Sequence, residues 1–374
     1  MLFPLLKLLW WLGPWMNQRK HPKGVERTVL QRKDDFPLWF YRPKNTVARG
    51  AIYLLPGLHY EGPADERLDR FARVLSAAGM IVGVPALPSM IDLQMSSKIL
   101  EEAESGLRFF LRQELPCLPG VMSISAASIA AFHLGAHSVY SRKIRGILTF
   151  GGFSDWEEAV FFSLTGRLSS GELMKPDPLG IPVLFLNFID ELDEDIIRPR
   201  ALERAIYSFV STTWEKPEYQ EWSAYTLVAR QLAERVEDED RALFYQACSV
   251  LPGGAEILER TILKLPPEPW LDPKPLLEAL KVPLKITHGR DDSVIPYTQA
   301  DDLNRLMPEA LKHKPALTGF YNHTGISDRF SIIKNILLLP KELIASFRLL
   351  YGLLQVSGLA QLQNPHSTEL KERS

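Results

Sequence analysis

Ser125 lies in Val121-Met122-Ser123-Ile124-Ser125-Ala126-Ala127, where an apolar stretch with strand character runs into an alanine-rich stretch with helix character. A sharp strand-to-helix turn at such a place pushes a serine hydroxyl clear of a sheet, provided the residues two before and two after it are small. Glycine is the usual choice at both; Ser123 and Ala127 are the next smallest and fit the same steric requirement. A serine hydroxyl is a weak nucleophile at neutral pH until a base takes its proton, and imidazole titrates close enough to neutrality to do so. A carboxylate that fixes the imidazole tautomer completes the set. Both types follow downstream. Leu284-Lys285-Ile286-Thr287-His288-Gly289-Arg290-Asp291-Asp292 reads as a short strand, a glycine turn and then acids, and His323 sits further on in Gly319-Phe320-Tyr321-Asn322-His323-Thr324-Gly325.

With these motifs in the order Ser, Asp, His, the chain resembles the α/β-hydrolase superfamily. The resemblance covers most of the chain outside a middle insertion, and its strongest motif is the segment from His288 to Pro296. It implies that Ser125 is the nucleophile, Asp292 the acid and His323 the base, with Asp291 the alternative acid. The turn Pro56-Gly57-Leu58-His59-Tyr60-Glu61-Gly62, after the apolar stretch Ala51–Leu55, stands where relatives carry a His-Gly turn. Proline replaces that histidine at no cost, because the groups that matter there are main-chain. An oxyanion hole would take its two N–H donors from Leu58 and from Ala126, the residue after the nucleophile. His59 is expected to brace the turn.

Those residues need a large scaffold, and the composition supplies one. The chain has 374 residues, 46% of them hydrophobic and 24% charged, enough for a single hydrolase core with an insertion. A net charge of −2 argues against a nucleic-acid partner. Cys117 and Cys248 form no disulfide framework and no metal spacing, so a reducing, cytoplasmic location is expected. The acidic run Asp190, Glu191, Asp193, Glu194, Asp195 reads as a solvated turn and helix start. Neither a metal nor a cofactor is expected.

The positioning elements follow from periodicity. Glu26–Leu30 and Pro37–Tyr41 read as opening antiparallel strands around a turn at Lys33-Asp34-Asp35. Ala51–Leu55, Met80–Val84, Val121–Ile124, Ile144–Phe150 and Pro283–Thr287 read as successive buried strands, with helices over Asp65–Ala78 and Ser96–Gln113 between them. Strands alternating with helices predict a mostly parallel, doubly wound α/β sheet. The division expected is residues 1–24 as an apolar N-terminal segment, 25–153 and 281–355 as the two parts of the core, 154–280 as a helical cap insertion, and 356–374 as a polar tail. Caps set substrate choice in the family resembled. Inside the insertion, helical stretches are expected at Trp156–Leu168, Arg200–Thr212, Glu221–Val236 and Asp240–Cys248, while Pro182–Phe188 is an apolar run open to strand, pocket-lining or packing roles. Phe330–Leu354 is expected to form a terminal helix or helix pair that covers the sheet and meets the N-terminal segment.

The N-terminal segment is rich in leucine and tryptophan, carries Lys7 as its one charge through Met16, and is followed by Arg19, Lys20, His21 and Lys23. Sixteen residues of helix rise about 24 Å at ~1.5 Å each, short of a ~30 Å hydrocarbon core. No basic region precedes the apolar run and no small-x-small site follows, so it does not read as a signal peptide. Two readings stand side by side: an anchor in the lipid interface, on the inner face of a membrane, or a segment packed on the core.

The function expected is a serine hydrolase cleaving a carboxylic ester or thioester, with a small-molecule or lipid ester as substrate. An acyltransferase of the same fold and a non-catalytic, membrane-associated relative are the alternatives.

Overall fold

A computed structural model describes residues 2–13, 16–17, 20–33, 35–192, 200–219, 221–319, 321–322, 325–326 and 339–361. Eight strands form one sheet: β1 (Val25–Arg32), β2 (Asp35–Pro43), β3 (Gly50–Leu55), β4 (Met80–Pro85), β5 (Gly120–Ile124), β6 (Ile147–Phe150), β7 (Leu284–Gly289) and β8 (Ala316–Thr318). Their spatial order is β1-β2-β4-β3-β5-β6-β7-β8. β2 pairs antiparallel with β1 and with β4, and every later pairing is parallel. All six residues of β3 and of β4 are buried, as strands covered on both faces require.

Helices cover both faces. On one side lie α1 (Leu2–Leu12), α2 (Glu66–Ala77) and, last in the chain, α14 (Leu339–Ser357). Leu5, Leu8 and Leu12 of α1 share an apolar cluster with Val74 and Leu75 of α2, with Leu349, Leu350, Leu353 and Leu354 of α14, and with strand residues such as Ile52 and Val82. The opposite face packs α4 (Lys98–Phe110), α5 (Ser128–Ala136) and α13 (Gln299–Leu306), through Leu107, Phe110, Phe132 and Leu303 among others. The short α3 (Pro88–Ile91) follows β4. The end of α14 lies directly on the sheet: a Cβ on Gly120 would come 2.5 Å from the Val356 carbonyl oxygen, so only glycine fits there.

Between β6 and β7 the chain leaves the sheet for α6 (Trp156–Thr165), α7 (Gly180–Phe188), α8 (Arg200–Thr213), α9 (Trp222–Ala233), α10 (Arg241–Ala247), α11 (Gly254–Ile262) and α12 (Lys274–Glu278). This insertion carries its own apolar core around Phe185, Phe209, Phe244 and Leu258. Gly166 at φ +68° stops α6 in a left-handed cap.

The structure sharpens several expectations. The run Pro182–Phe188 is helical, within α7, and Pro182 falls in the first turn, where its missing N–H costs no intrahelical bond. β6 begins at Ile147, three residues after the expected Ile144. α11 lies in a stretch where no element was expected. The N-terminal segment is an eleven-residue helix packed on α2 and α14. Residues 330–338, 362–374 and the acids Asp193, Glu194 and Asp195 lie outside the described residues.

Candidate active site

β5 ends at Ile124 in extended geometry, and Ser125 follows with φ +54°, the left-handed region that a side chain rarely adopts. A 3-10 turn, Ser125–Ala127, leads directly into α5. The flanking Ser123 and Ala127 are fully buried, so their small size is what lets the turn close against its surroundings. Among the described residues, only Leu93, Glu215 and Ser249 share this positive-φ conformation with Ser125 outside glycine, and Ser125 alone of the four stands at the end of a central strand.

The parallel register of β3 and β5 sets Leu55 beside Ser123, which carries Gly57 alongside Ser125. A Cβ on Gly57 would stand 3.3 Å from both the Ile124 carbonyl oxygen and the Ser125 Cβ, so glycine lets the loop after β3 approach the turn. Leu58 is the next residue, and with Ala126 it lines the same cavity as Ser125. Ala126 is second in its helical turn, where an N–H has no partner of its own within the helix.

β7 ends at Gly289, and Asp292 follows, fully buried, whereas Asp291 is exposed. The Val294 and Ile295 N–H groups each donate to Asp292 Oδ1 at 2.9 Å. His288, also fully buried, brings Nε2 to 3.3 Å from Asp292 Oδ2 and 3.0 Å from the Ile295 carbonyl oxygen. These contacts fix the carboxylate of Asp292, and Val294 and Ile295 reach the cavity wall beside Ser125. His323 lies outside the described residues. Its neighbours in sequence, Tyr321–Asn322 and Gly325–Ile326, pair antiparallel, and the first of these short strands packs against β7.

Ser125 opens on a cavity of about 280 Å³. One part of its wall is the insertion, with Trp156, Val160, Val183, Leu184 and Trp214; another lies between the helices on the sheet, with Leu12, Leu68, Phe71, Leu349 and Leu353. The wall also holds a charged group. Arg67 donates to Asp65 at 2.9 Å and to Glu215, and His59 Nε2 stands 3.5 Å from Asp65 Oδ2 and 3.7 Å from Glu215 Oε2. Asp65 also caps α2, accepting from the Arg67 and Leu68 N–H groups. Burial works against the Asp65 charge, yet the hydrogen bonds and charge of Arg67 outweigh it and hold the carboxyl below its ordinary range. His59, Glu61 and Asp65 offer ligand-type atoms within 4.8 Å of one another, but Arg67 already supplies the positive charge there.

His59 thus braces the turn, accepting the Glu61 N–H at 3.3 Å, and also stacks on Tyr60 and Trp214. Sequence reasoning did not find Asp65, Arg67, Glu215 or His288 as members of the site. The Asp65 cap is a local signal; the Arg67–Glu215 pair, 148 residues apart, has none.

No family model and no curated protein matches the chain. Its structure is similar to that of the Pyrococcus horikoshii acylaminoacyl peptidase, at 11% identity and a TM-score of 0.47, over 91% of this chain and 43% of the peptidase. A putative lipase from Acinetobacter baumannii AYE is similar at 14% identity and a TM-score of 0.42, over 91% of this chain and 95% of the lipase. A bacterial membrane phospholipase A is similar at 14% identity and a TM-score of 0.42, over 85% of this chain and 86% of the phospholipase. This chain spans less than half the length of the peptidase. By its own strand order, its antiparallel β2 followed by parallel strands, and its helices on both faces, the chain has the α/β-hydrolase fold.

Proposed function

We propose that the chain is a serine hydrolase that cleaves a carboxylic ester or thioester with an apolar acyl group through an acyl-enzyme on Ser125. The observation that carries this reading is the placement of Ser125: strained at φ +54°, at the tip of a central strand, and opening on an apolar cavity. A hydroxyl held there meets a carbonyl carbon whose acyl chain lies among Val160, Val183, Leu184 and their neighbours. His323 takes the Ser125 proton as the hydroxyl attacks, Asp292 holds the imidazole and stabilises the imidazolium, and the Leu58 and Ala126 N–H groups receive the oxyanion. The imidazolium returns the proton to the leaving alcohol or thiol. Water, deprotonated by the same imidazole, then resolves the acyl-enzyme. The insertion acts as the cap that shapes the acyl site.

Burial and two backbone donors favour Asp292 over the exposed Asp291 as the acid. A fluorophosphonate probe is expected to label the protein at Ser125. On a panel of p-nitrophenyl and thioester substrates, Ser125→Ala is expected to lower turnover by at least about 10³-fold with the fold intact. Asp292→Asn is expected to cost far more than Asp291→Asn. Labelling at another residue, or full turnover by Ser125→Ala, ends the reading.

A further inference from the structure

α1 is apolar on both faces. Leu5, Leu8 and Leu12 are buried against α2 and α14, while Leu2, Phe3, Leu6 and Trp10 face outward, each more than half exposed. A helix apolar all round is ordinarily buried all round, so the outward face needs a second apolar environment. α14, packed on α1, repeats the pattern: Leu343, Ile344 and Phe347 are 53%, 54% and 49% exposed.

Charge selects among the occupants. No acidic residue precedes Glu26, while Lys7, Lys20 and Lys23 do; Lys20 and Lys23 are exposed, and Lys7 Nζ donates to the Ala77 carbonyl oxygen at 2.9 Å. On α14, Lys341 and Arg348 are exposed, whereas the carboxylate of Glu342 is buried and accepts the Gly319 N–H at 2.6 Å. An apolar face bordered by cations repels a second copy of itself and attracts anionic headgroups, and tryptophan favours the boundary where those headgroups lie. Among the described residues no helix is long and apolar enough to cross a membrane, so such a face would lie along the surface rather than span it.

We infer that α1 and α14 form a two-helix docking face for an anionic phospholipid surface. The same helices turn Leu12, Leu349 and Leu353 inward to the cavity that Ser125 opens on, so one layer of helices, about 10 Å thick, would separate a docked bilayer from the acyl site. The docking stands apart from the chemistry; only the delivery of an acyl chain to the cavity rests on the reading of Ser125 as a nucleophile.

The test is co-sedimentation of the full chain, as wild type and as Ser125→Ala, with vesicles of phosphatidylglycerol and phosphatidylcholine and with vesicles of phosphatidylcholine alone. Both proteins are expected to bind the anionic vesicles at least about tenfold more tightly, with binding weakened at high salt. The pair Leu6→Glu with Trp10→Glu, and separately Ile344→Glu with Phe347→Glu, are each expected to lower that binding at least about tenfold at an unchanged melting temperature. Val47→Glu, a change at an exposed valine on a different loop, is expected to leave it intact. Failure of wild type to bind anionic vesicles, equal binding by both charged pairs, or a wild-type dimer in sedimentation that both pairs dissociate would overturn the inference. Vesicle binding by a protein that no fluorophosphonate labels would keep the docking face and remove the hydrolase.

Discussion

Ala127 shows how little room the turn at Ser125 leaves. It is fully buried within the main apolar cluster and stands two residues past the strained serine. Added methyl groups at such a site force neighbouring backbone to move, which typically costs about 1–3 kcal/mol. Ala127→Val is therefore expected to melt earlier in thermal unfolding and to lose turnover, while Ala127→Gly loses little of either. An Ala127→Val protein with normal melting and turnover would remove the steric account of the turn. This part of the site was legible in the sequence, because a strand-to-helix turn is local and the small residues that permit it sit within three positions. The buried partner of Asp292 was not: His288 looks like the last residue of a strand, and only the folded loop bends Asp292 back to within 3.3 Å of it.

At the scale of elements, the Arg67–Glu215 contact joins α2 to the segment after α8, and so joins the sheet to the insertion across the cavity. Burial opposes the Arg67 charge, but Glu215 and Asp65 together raise its pKa well above the ordinary arginine value, consistent with a guanidinium shared by two carboxylates. Removing it leaves Asp65 and Glu215 facing each other with only the His59 ring between them, at 3.5 Å and 3.7 Å. Arg67→Ala is expected to destabilise the protein by about 1–2 kcal/mol in urea unfolding, a figure reduced because the Arg67 side chain is 40% exposed. It is also expected to alter KM more than kcat, since the contact bounds the cavity proposed to hold the acyl group. An Arg67→Ala protein with unchanged stability and KM would leave the contact without a role. Sequence periodicity found the helices on either side of this contact but not their meeting. Likewise it left Pro182–Phe188 open, because a short apolar run reads equally as a buried strand or one side of a buried helix.

For the whole molecule, pH stability turns on His313. Its imidazole is pulled down to about 4, first by burial and then by the charge of Lys285, and its Nε2 accepts the Ile286 N–H at 3.3 Å, a bond the protonated ring cannot accept. The unfolded chain takes up this proton near pH 6.5 and the folded chain only near 4. Stability from this group is thus complete above about pH 6.5 and is lost as pH falls toward 4. With allowance for partial exposure, the loss is about 2 kcal/mol. Urea unfolding of wild type between pH 7 and 4.5 is expected to show it, and His313→Gln to flatten that slope; equal slopes would assign the acid sensitivity elsewhere. A mostly parallel sheet covered on both faces followed from alternating strands and helices, whereas the strand order did not, since alternation leaves open which strand lies beside which; the apolar runs over residues 2–12 and 339–357 were the signal for the packing of α1 on α14. That packing has a consequence in time. Residues 2–12 leave the ribosome long before α14 exists, so one wall of the Ser125 cavity stays open until Leu349 and Leu353 have been made. The cavity therefore closes only once α14 has been made, and a nascent protein carries Ser125 before it carries the enclosed space that Ser125 opens on.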